Sequence, residues 1–276
     1  MEKRKEEEKE FHNFLRDLKE GTPEYKHYTS NKKFYSVTRK SVAYLENWLK
    51  NRCQNGAKVL EYGCGTGSFS FFLASLGAHV VGIDISDVGI SQAREEAKRR
   101  GLANKTEFYV MDAESTTFPD NTFDIICVSG VLHHLDRAKA FKEMARILKP
   151  AGAAIAAEPL AHNPLIQLYR KMTPYLRTEF EAGHILHAKK DVELARRYFD
   201  KVETKFFHLA TIAAVPFRNT PIFNPLLTLG EKMDSVLLKI PIIQRQAWQV
   251  VLIFSKPKKQ AKTQPQSPPL QRHQSS

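Results

Sequence analysis

Val59-Leu60-Glu61-Tyr62-Gly63-Cys64-Gly65-Thr66-Gly67 is the stretch on which the fold turns. An apolar run leads straight into three glycines at alternate positions, and Ser68–Leu76 continues with helical spacing. Glycine lets a backbone turn tightly and lets a ligand approach where a Cβ would intrude. The first turn of the following helix offers free N–H groups beside it. A Gly-x-Gly-x-Gly turn alone is weak evidence, because an ordinary strand-to-helix turn can look the same. Its neighbours make it informative.

Working outward, Glu61 is an acid at the end of the apolar run. Next comes Val80-Val81-Gly82-Ile83-Asp84-Ile85-Ser86, a second apolar run closed by an acid. Asp84 stands about 20 residues past the glycines, where an acid can accept hydrogen bonds from a ribose. Helix capping is the competing role for Asp84, but Ser86 is the better cap candidate. A third run, Thr106–Met111, leads into Asp112 and Ala113. Asp112 would stand beside the crevice where open α/β sheets bind ligands. A fourth, Phe123–Ser129, leads into Gly130-Val131-Leu132-His133-His134-Leu135. The dinucleotide fingerprint Gly-x-Gly-x-x-Gly is not what stands here.

Apolar runs and helical patterns alternate further along. Helical spacing is expected through Arg100, stopped at Gly101, and over Arg137–Leu148, stopped by Pro150. Strands are expected at Lys58–Tyr62, His79–Ile83, Gly152–Ala157, Lys201–Leu209 and Ala247–Phe254, with a short helix at Asp191–Tyr198. Alternating βα units imply a parallel sheet with helices on both faces. Residues 1–20 read as a charged surface helix docking through Phe11, Phe14, Leu15 and Leu18, broken by Gly21, Thr22 and Pro23. Residues 33–52 read as one amphipathic helix with Phe34, Val37, Val42, Leu45, Trp48 and Leu49 on its apolar face. The domain is expected over 21–255. The tail 256–276 is rich in Pro, Gln, Ser and Lys and is expected to be disordered.

The four pieces, in this order and spacing, resemble class I S-adenosylmethionine (SAM)-dependent methyltransferases, specifically the broad type 11 small-molecule branch. The resemblance is good over 55–160, weaker over 25–54 and 161–255, and absent at both termini. It implies a Rossmann-like, doubly wound α/β sheet of seven strands in the order 3-2-1-4-5-7-6, mostly parallel with an antiparallel last strand. It implies SAM as cofactor and S-adenosylhomocysteine as product. By that resemblance Gly63, Gly65 and Gly67 belong to the turn passing the methionine part, with Glu61 organising its polar surroundings. Asp84 would take the ribose hydroxyls, Ile85 the adenine face, and Asp112 the adenine amino group with Ala113 beside it. The Ser129 carbonyl would face the methionine amine. No metal site is expected, since His133 stands where some relatives carry an acid.

His133 is the candidate general base, because an imidazole titrates near neutrality. His134 is the weaker catalytic candidate, and a structural hydrogen-bonding role suits it as well. Glu179, Glu181, His184 and His187 fall in a proposed lid over 158–188, which could equally be a solvated loop. Tyr25, Tyr28, Phe34 and Tyr35 could cover the cofactor or simply pack. The apolar insertion 210–245, with Leu226, Leu229, Met233, Leu237 and Ile240 on one helical face, has three readings. It could be a core helix, a cover over a lipophilic substrate, or a peripheral contact with a membrane surface.

Net charge is +12, of which residues 256–276 carry +5 and residues 1–20 carry −1. The remaining positive charge is spread over the body, which permits an anionic partner without demanding one. Three cysteines (Cys53, Cys64, Cys127) form no CxxC pair, which argues against a zinc site and suits a reduced, cytoplasmic setting. The expected function is methyl transfer to a small metabolite, lipophilic ones among the candidates, with O- or C-methylation favoured. The alternatives are a nucleic-acid or protein methyltransferase and a non-catalytic SAM-binding protein. Nucleic acid is the disfavoured partner: Ser-Gly-Val-Leu after the fourth strand is not the Asn-Pro-Pro-Tyr-like turn of base amino-methylases. Oligomeric state and acceptor identity stay open at this level.

Overall fold

In the computed structural model, which describes residues 2–54 and 56–259, seven strands form one sheet. They are β1 (Lys58–Tyr62), β2 (His79–Asp84), β3 (Thr106–Val110), β4 (Phe123–Ser129), β5 (Leu148–Pro159), β6 (Phe199–Phe207) and β7 (Gln249–Pro257). Their order is β3-β2-β1-β4-β5-β7-β6, as the resemblance implied. Only β7 runs antiparallel, to both β5 and β6.

Strand parity explains why the inner strands read as unbroken apolar runs. Leu60 and Tyr62 of β1 and Ile126 and Val128 of β4 face one core, while Val59, Ile125 and Cys127 face the other. A parallel sheet covered on both faces buries every side chain, so alternation disappears from the sequence. β5 leaves its ladder between Leu148 and Ala153, where Lys149-Pro150-Ala151-Gly152 shifts the register against β4.

The helices are α1 (Lys3–Asp17), α2 (Pro23–Tyr28), α3 (Arg39–Lys50), α4 (Ser68–Ser75), α5 (Asp87–Arg99), α6 (Arg137–Ile147), α7 (Pro164–Met172), α8 (Glu179–Gly183), α9 (Ala188–Ala195), α10 (Phe223–Leu237) and α11 (Pro241–Gln244). Leu45, Trp48 and Leu49 of α3 and Leu73 and Ala74 of α4 cover one face of the sheet. Phe141 and Met144 of α6 and Ala195 of α9 cover the other. Ser86 caps α5 by accepting from the Gly89 N–H at 2.9 Å, and Asp136 caps α6 by accepting from Ala138 and Lys139. Both fit the preference of short polar side chains for the position before a helix.

Four expectations need correction. Residues 33–52 are not one helix: Ser30–Val37 is a 3-10 helix, α3 starts only at Arg39, and Val42 is exposed. The Thr38 hydroxyl bonds back to the Tyr35 carbonyl, a local bond that closes the first turn. The helix expected at Asp191–Tyr198 begins three residues earlier, where the Asp191 carboxylate accepts from the His187 N–H at 2.7 Å. β6 begins two residues earlier than expected, because Phe199 is a fully buried member of the core. Order also persists past residue 255. β7 extends to Pro257, and Lys258 and Lys259 donate to backbone carbonyls of Arg196 and Ala145. The rest of the expected tail, 260–276, lies outside the described residues.

Candidate functional site

The turn after β1 is shaped by its glycines. Gly63 has φ +80, and a Cβ there would lie 2.4 Å from the Val131 side chain, so only glycine lets the β1 and β4 turns approach. The Gly63 and Cys64 N–H groups both donate to the Ile83 carbonyl at 2.8 Å, which ties the turn to the end of β2. There Asp84 accepts from the Gly65 N–H at 2.8 Å and the Ser86 N–H at 2.9 Å. One carboxylate thus fixes both turns.

A crevice of about 240 Å³ opens over these turns. Gly63, Asp84, Ile85, Asp112, Ala113 and Ser129 line it, as the ligand reading required. Gly65 meets it through the N–H bond to Asp84. Glu61 and Gly67 stand behind the wall. Glu61 accepts from Ser70 Oγ, and burial, with the Asp84 charge adding to it, pushes its carboxyl up to about 8. Gly67 precedes α4, where a Cβ would meet Phe108 at 2.9 Å, so its role there is packing. The Ala113 carbonyl accepts from Tyr62 Oη, which pins the loop after β3.

The other wall of the crevice is α1, which the sequence placed only as a surface helix. Arg16 Nη2 lies 3.2 Å from Asp84 Oδ2. Lys5 Nζ lies 2.7 Å from Asp112 Oδ2 and 3.0 Å from Glu114, and Arg4 reaches Glu114 at 2.5 Å. Three cations of one helix therefore engage three acids on the sheet side. Glu8 accepts from Thr178 and pairs with His134 Nδ1 at 3.0 Å. Burial works against the Glu8 charge, but the bonds from His12 and His134 outweigh it and hold its carboxyl low. His134 moves the opposite way: burial opposes its charged form, and Glu8 with nearby Glu181 and Glu158 raises it nonetheless.

A second cavity, of about 330 Å³, shares Ser129, Gly130, His12 and His134 with the first. His133 lines it. Its Nδ1 lies 2.7 Å from Glu158 Oε2. Glu158 is fully buried at the end of β5, and its other oxygen accepts from the Val131 and Leu132 N–H groups at 2.8 and 2.9 Å. With both oxygens accepting, Glu158 is the acceptor for an Nδ1–H. The neutral imidazole then carries its lone pair on Nε2. That nitrogen lies 3.8 Å from Glu181. Aromatic side chains Phe34, Tyr35, Tyr169 and Trp248 and the cations Arg170 and Arg177 complete the walls. Burial and neighbouring Arg177 pull Arg170 down to about 10.

Residues 60–156 match the family model of a methyltransferase domain. The matched span runs from β1 to β5 and contains the four motifs. That span is therefore similar to a methyltransferase domain, and the sheet it belongs to has the strand order that the resemblance implied. The chain is 41% identical over 105 residues to a phosphoethanolamine N-methyltransferase of Triticum aestivum, covering 37% of this chain and 20% of that protein. It is 34% identical over 121 residues to a sterol 24-C-methyltransferase of Aspergillus fumigatus, covering 43% and 32% respectively. The chain thus spans a third or less of the length of these relatives. The fold of the whole described chain, not only the matched span, recurs in the crystal structure of geranyl diphosphate C-methyltransferase from Streptomyces coelicolor (TM-score 0.59, 15% identity, 92% of this chain and 98% of that one).

Several functional residues escaped the reading of the sequence. Glu158 was legible as an acid interrupting the apolar run Ala153–Ala157, but only β5 register brings it to His133. Arg16, Lys5 and Glu8 had no signal beyond charge. Of the lid candidates, Glu181 reaches the second cavity, while His184 bonds the Phe180 carbonyl instead. Phe34 and Tyr35 line the second cavity rather than the crevice. Two sets of ligand atoms, Glu8–His12–His134 and His133–His134–Glu181, each lie within 4.8 Å, so a divalent ion and the ion pairs above would compete for the same atoms.

Proposed function

We propose that this protein is a SAM-dependent methyltransferase acting on a small acceptor with an apolar body, by O- or C-methylation. One observation carries the reading: His133, backed by the fully buried Glu158, lines a cavity that meets the crevice at Ser129 and Gly130. The crevice fits an adenosyl group. Asp84 offers a carboxylate for a ribose, Ile85 an apolar face, and Asp112 an acceptor for an amino group. Bound there, SAM supplies an electrophilic methyl on a sulfonium.

This chain's residues then orient and deprotonate. The acceptor's apolar body packs against Phe34, Tyr35 and Trp248, and a polar end meets Arg170 and Arg177. His133 Nε2 takes the proton of the acceptor hydroxyl or acidic carbon, and Glu158 stabilises the imidazolium that forms. Closure by α1 keeps water from the crevice and strengthens these electrostatics. Glu158 is a positioning residue here.

Transfer of labelled methyl from SAM to a panel of phenols, hydroxy-acids and activated carbon acids tests the reading. Glu158→Gln should leave SAM affinity unchanged and lower turnover roughly tenfold, because the imidazole loses the carboxylate that orients it. A well-folded chain that binds no SAM, or full turnover in Glu158→Gln, contradicts it. Transfer to RNA or protein but to no small molecule would favour the macromolecular alternative.

A further inference from the structure

The helix that breaks the usual rule is α10. A surface helix normally turns its apolar stripe to the core. Here Leu227, Gly230 and Asp234 face inward. A Cβ on Gly230 would lie 2.9 Å from Thr211 Cα, so the helix docks by close backbone approach to the 3-10 helix Ala210–Phe217. Leu229, Met233 and Val236 lie about 180–240° round the helix from Leu227. All three are exposed, and Val236 is 62% exposed. The stripe continues beyond the helix through Ile240 to Ile242, which is 78% exposed. Of the helical face that the sequence left open between core, substrate cover and membrane contact, Leu229, Met233 and Ile240 therefore point to solvent.

The charges on this segment are sorted as well. Residues 218–245 hold two acids, and both are turned inward. Asp234 accepts from the Ala210 N–H at 2.6 Å and the Thr211 hydroxyl at 3.0 Å. Glu231 is held bidentate by Arg39 at 2.5 and 2.8 Å. The cations Arg218, Lys232, Lys239 and Arg245 are all exposed. The outer surface thus presents apolar side chains and positive charge without a competing acid.

A second element repeats the pattern. Leu165, Leu168 and Met172 of α7 are exposed at helical spacing, with Lys171 beside them. Between α7 and the 3-10 helix runs an apolar groove of about 770 Å³, walled by Leu165, Ile166, Ile212 and Val215, with Lys33 and Arg218 also on its wall. Phe34 and Ile166 line both this groove and the second cavity.

We infer that the outer faces of α10 and α11 form a docking surface for an anionic phospholipid bilayer. An interfacial helix buries an apolar stripe at the headgroup boundary while flanking cations meet anionic lipid. Among the described residues no helix is long and apolar enough to cross a membrane, so the contact is peripheral. A second copy of the chain is the rival occupant. A two-fold seam on this stripe would gather Lys232 and Lys239 of both copies at one interface, with no exposed acid of the segment to pair them. The docking surface stands independently of the catalytic reading.

Cosedimentation of the full chain with vesicles tests it. The protein should pellet with phosphatidylcholine–phosphatidylserine vesicles, less with phosphatidylcholine alone, and less as salt rises. The triple variant Leu229→Gln, Val236→Gln, Ile242→Gln changes only exposed side chains. It should keep its melting temperature and bind the anionic vesicles roughly tenfold more weakly. Lys232→Gln with Lys239→Gln should weaken binding severalfold and flatten the salt dependence. No pelleting of the wild type, equal pelleting of the triple variant, or a dimer in sedimentation velocity that the triple variant dissolves would each overturn the proposal.

Discussion

The two neighbouring cavities were built in different ways. The crevice is made from the carboxyl ends of consecutive strands β1 to β4, and its acids are fixed by backbone N–H groups of those same strand-end turns: Asp84 by Ser86 two residues on and by Gly65 of the turn after β1, Asp112 by Glu114 two residues on. The second cavity draws on residues 11–45, 129–134, 157–181 and 248–249, which meet only after folding. Its key pair, His133 and Glu158, is 25 residues apart. The first kind of site is written in local motifs. The second is written in packing, and changing what covers it changes the acceptor without disturbing the crevice.

The sharpest way to separate the two is His133→Ala. Turnover should fall on the order of 10²- to 10⁴-fold while SAM affinity in calorimetry stays put. Full activity in this variant would remove His133 as base and with it the functional division between the cavities.

Glu61→Gln probes what the crevice costs to build. The folded Glu61 carboxyl is raised from 4.5 to about 8, so the folded state binds the proton more tightly than the unfolded chain. Stability on this account is full below about 4.5 and declines as pH rises towards 8. The glutamine variant should match wild type near pH 4 and exceed it by on the order of 4 kcal/mol at pH 8 in denaturant melts. Identical pH dependence of the two proteins would show that Glu61 ionises freely.

Asp84→Ala should weaken SAM binding roughly tenfold or more, since it removes the ribose acceptor and unties the Gly65 and Ser86 turns. A turnover loss without an affinity loss would blur the comparison.

Arg16→Gln should have the smallest effect and the opposite sign. Arg16 occupies Asp84 in the closed crevice, so its removal should tighten SAM binding about threefold. Weaker binding would show that α1 helps to hold the cofactor instead of competing for its acceptor.

The alternating βα units, the Gly63–Gly67 turn, and the acids Asp84 and Asp112 were legible from the sequence because each is a short-range pattern, whereas the strand order came only from the resemblance. A doubly covered parallel strand must be apolar throughout, and the ligand crevice must lie at its carboxyl end. The reading went astray where tertiary contacts outvoted periodicity. Residues 33–52 divide because a local hydroxyl bond at Thr38 closes one turn before α3 begins. The apolar face of α10 left three readings open, and close approach at Gly230 docks the opposite face. The sequence by itself determined the alternation of strands and helices, the glycine turn and the crevice at the strands' carboxyl ends, since these follow from propensity, glycine geometry and strand polarity. Only the tertiary structure decided that α1 seals that crevice, that Glu158 orients His133, and that α10 keeps its apolar stripe outside. Those outcomes depend on which distant surfaces find one another, and pairing at long range leaves no period in the chain to read.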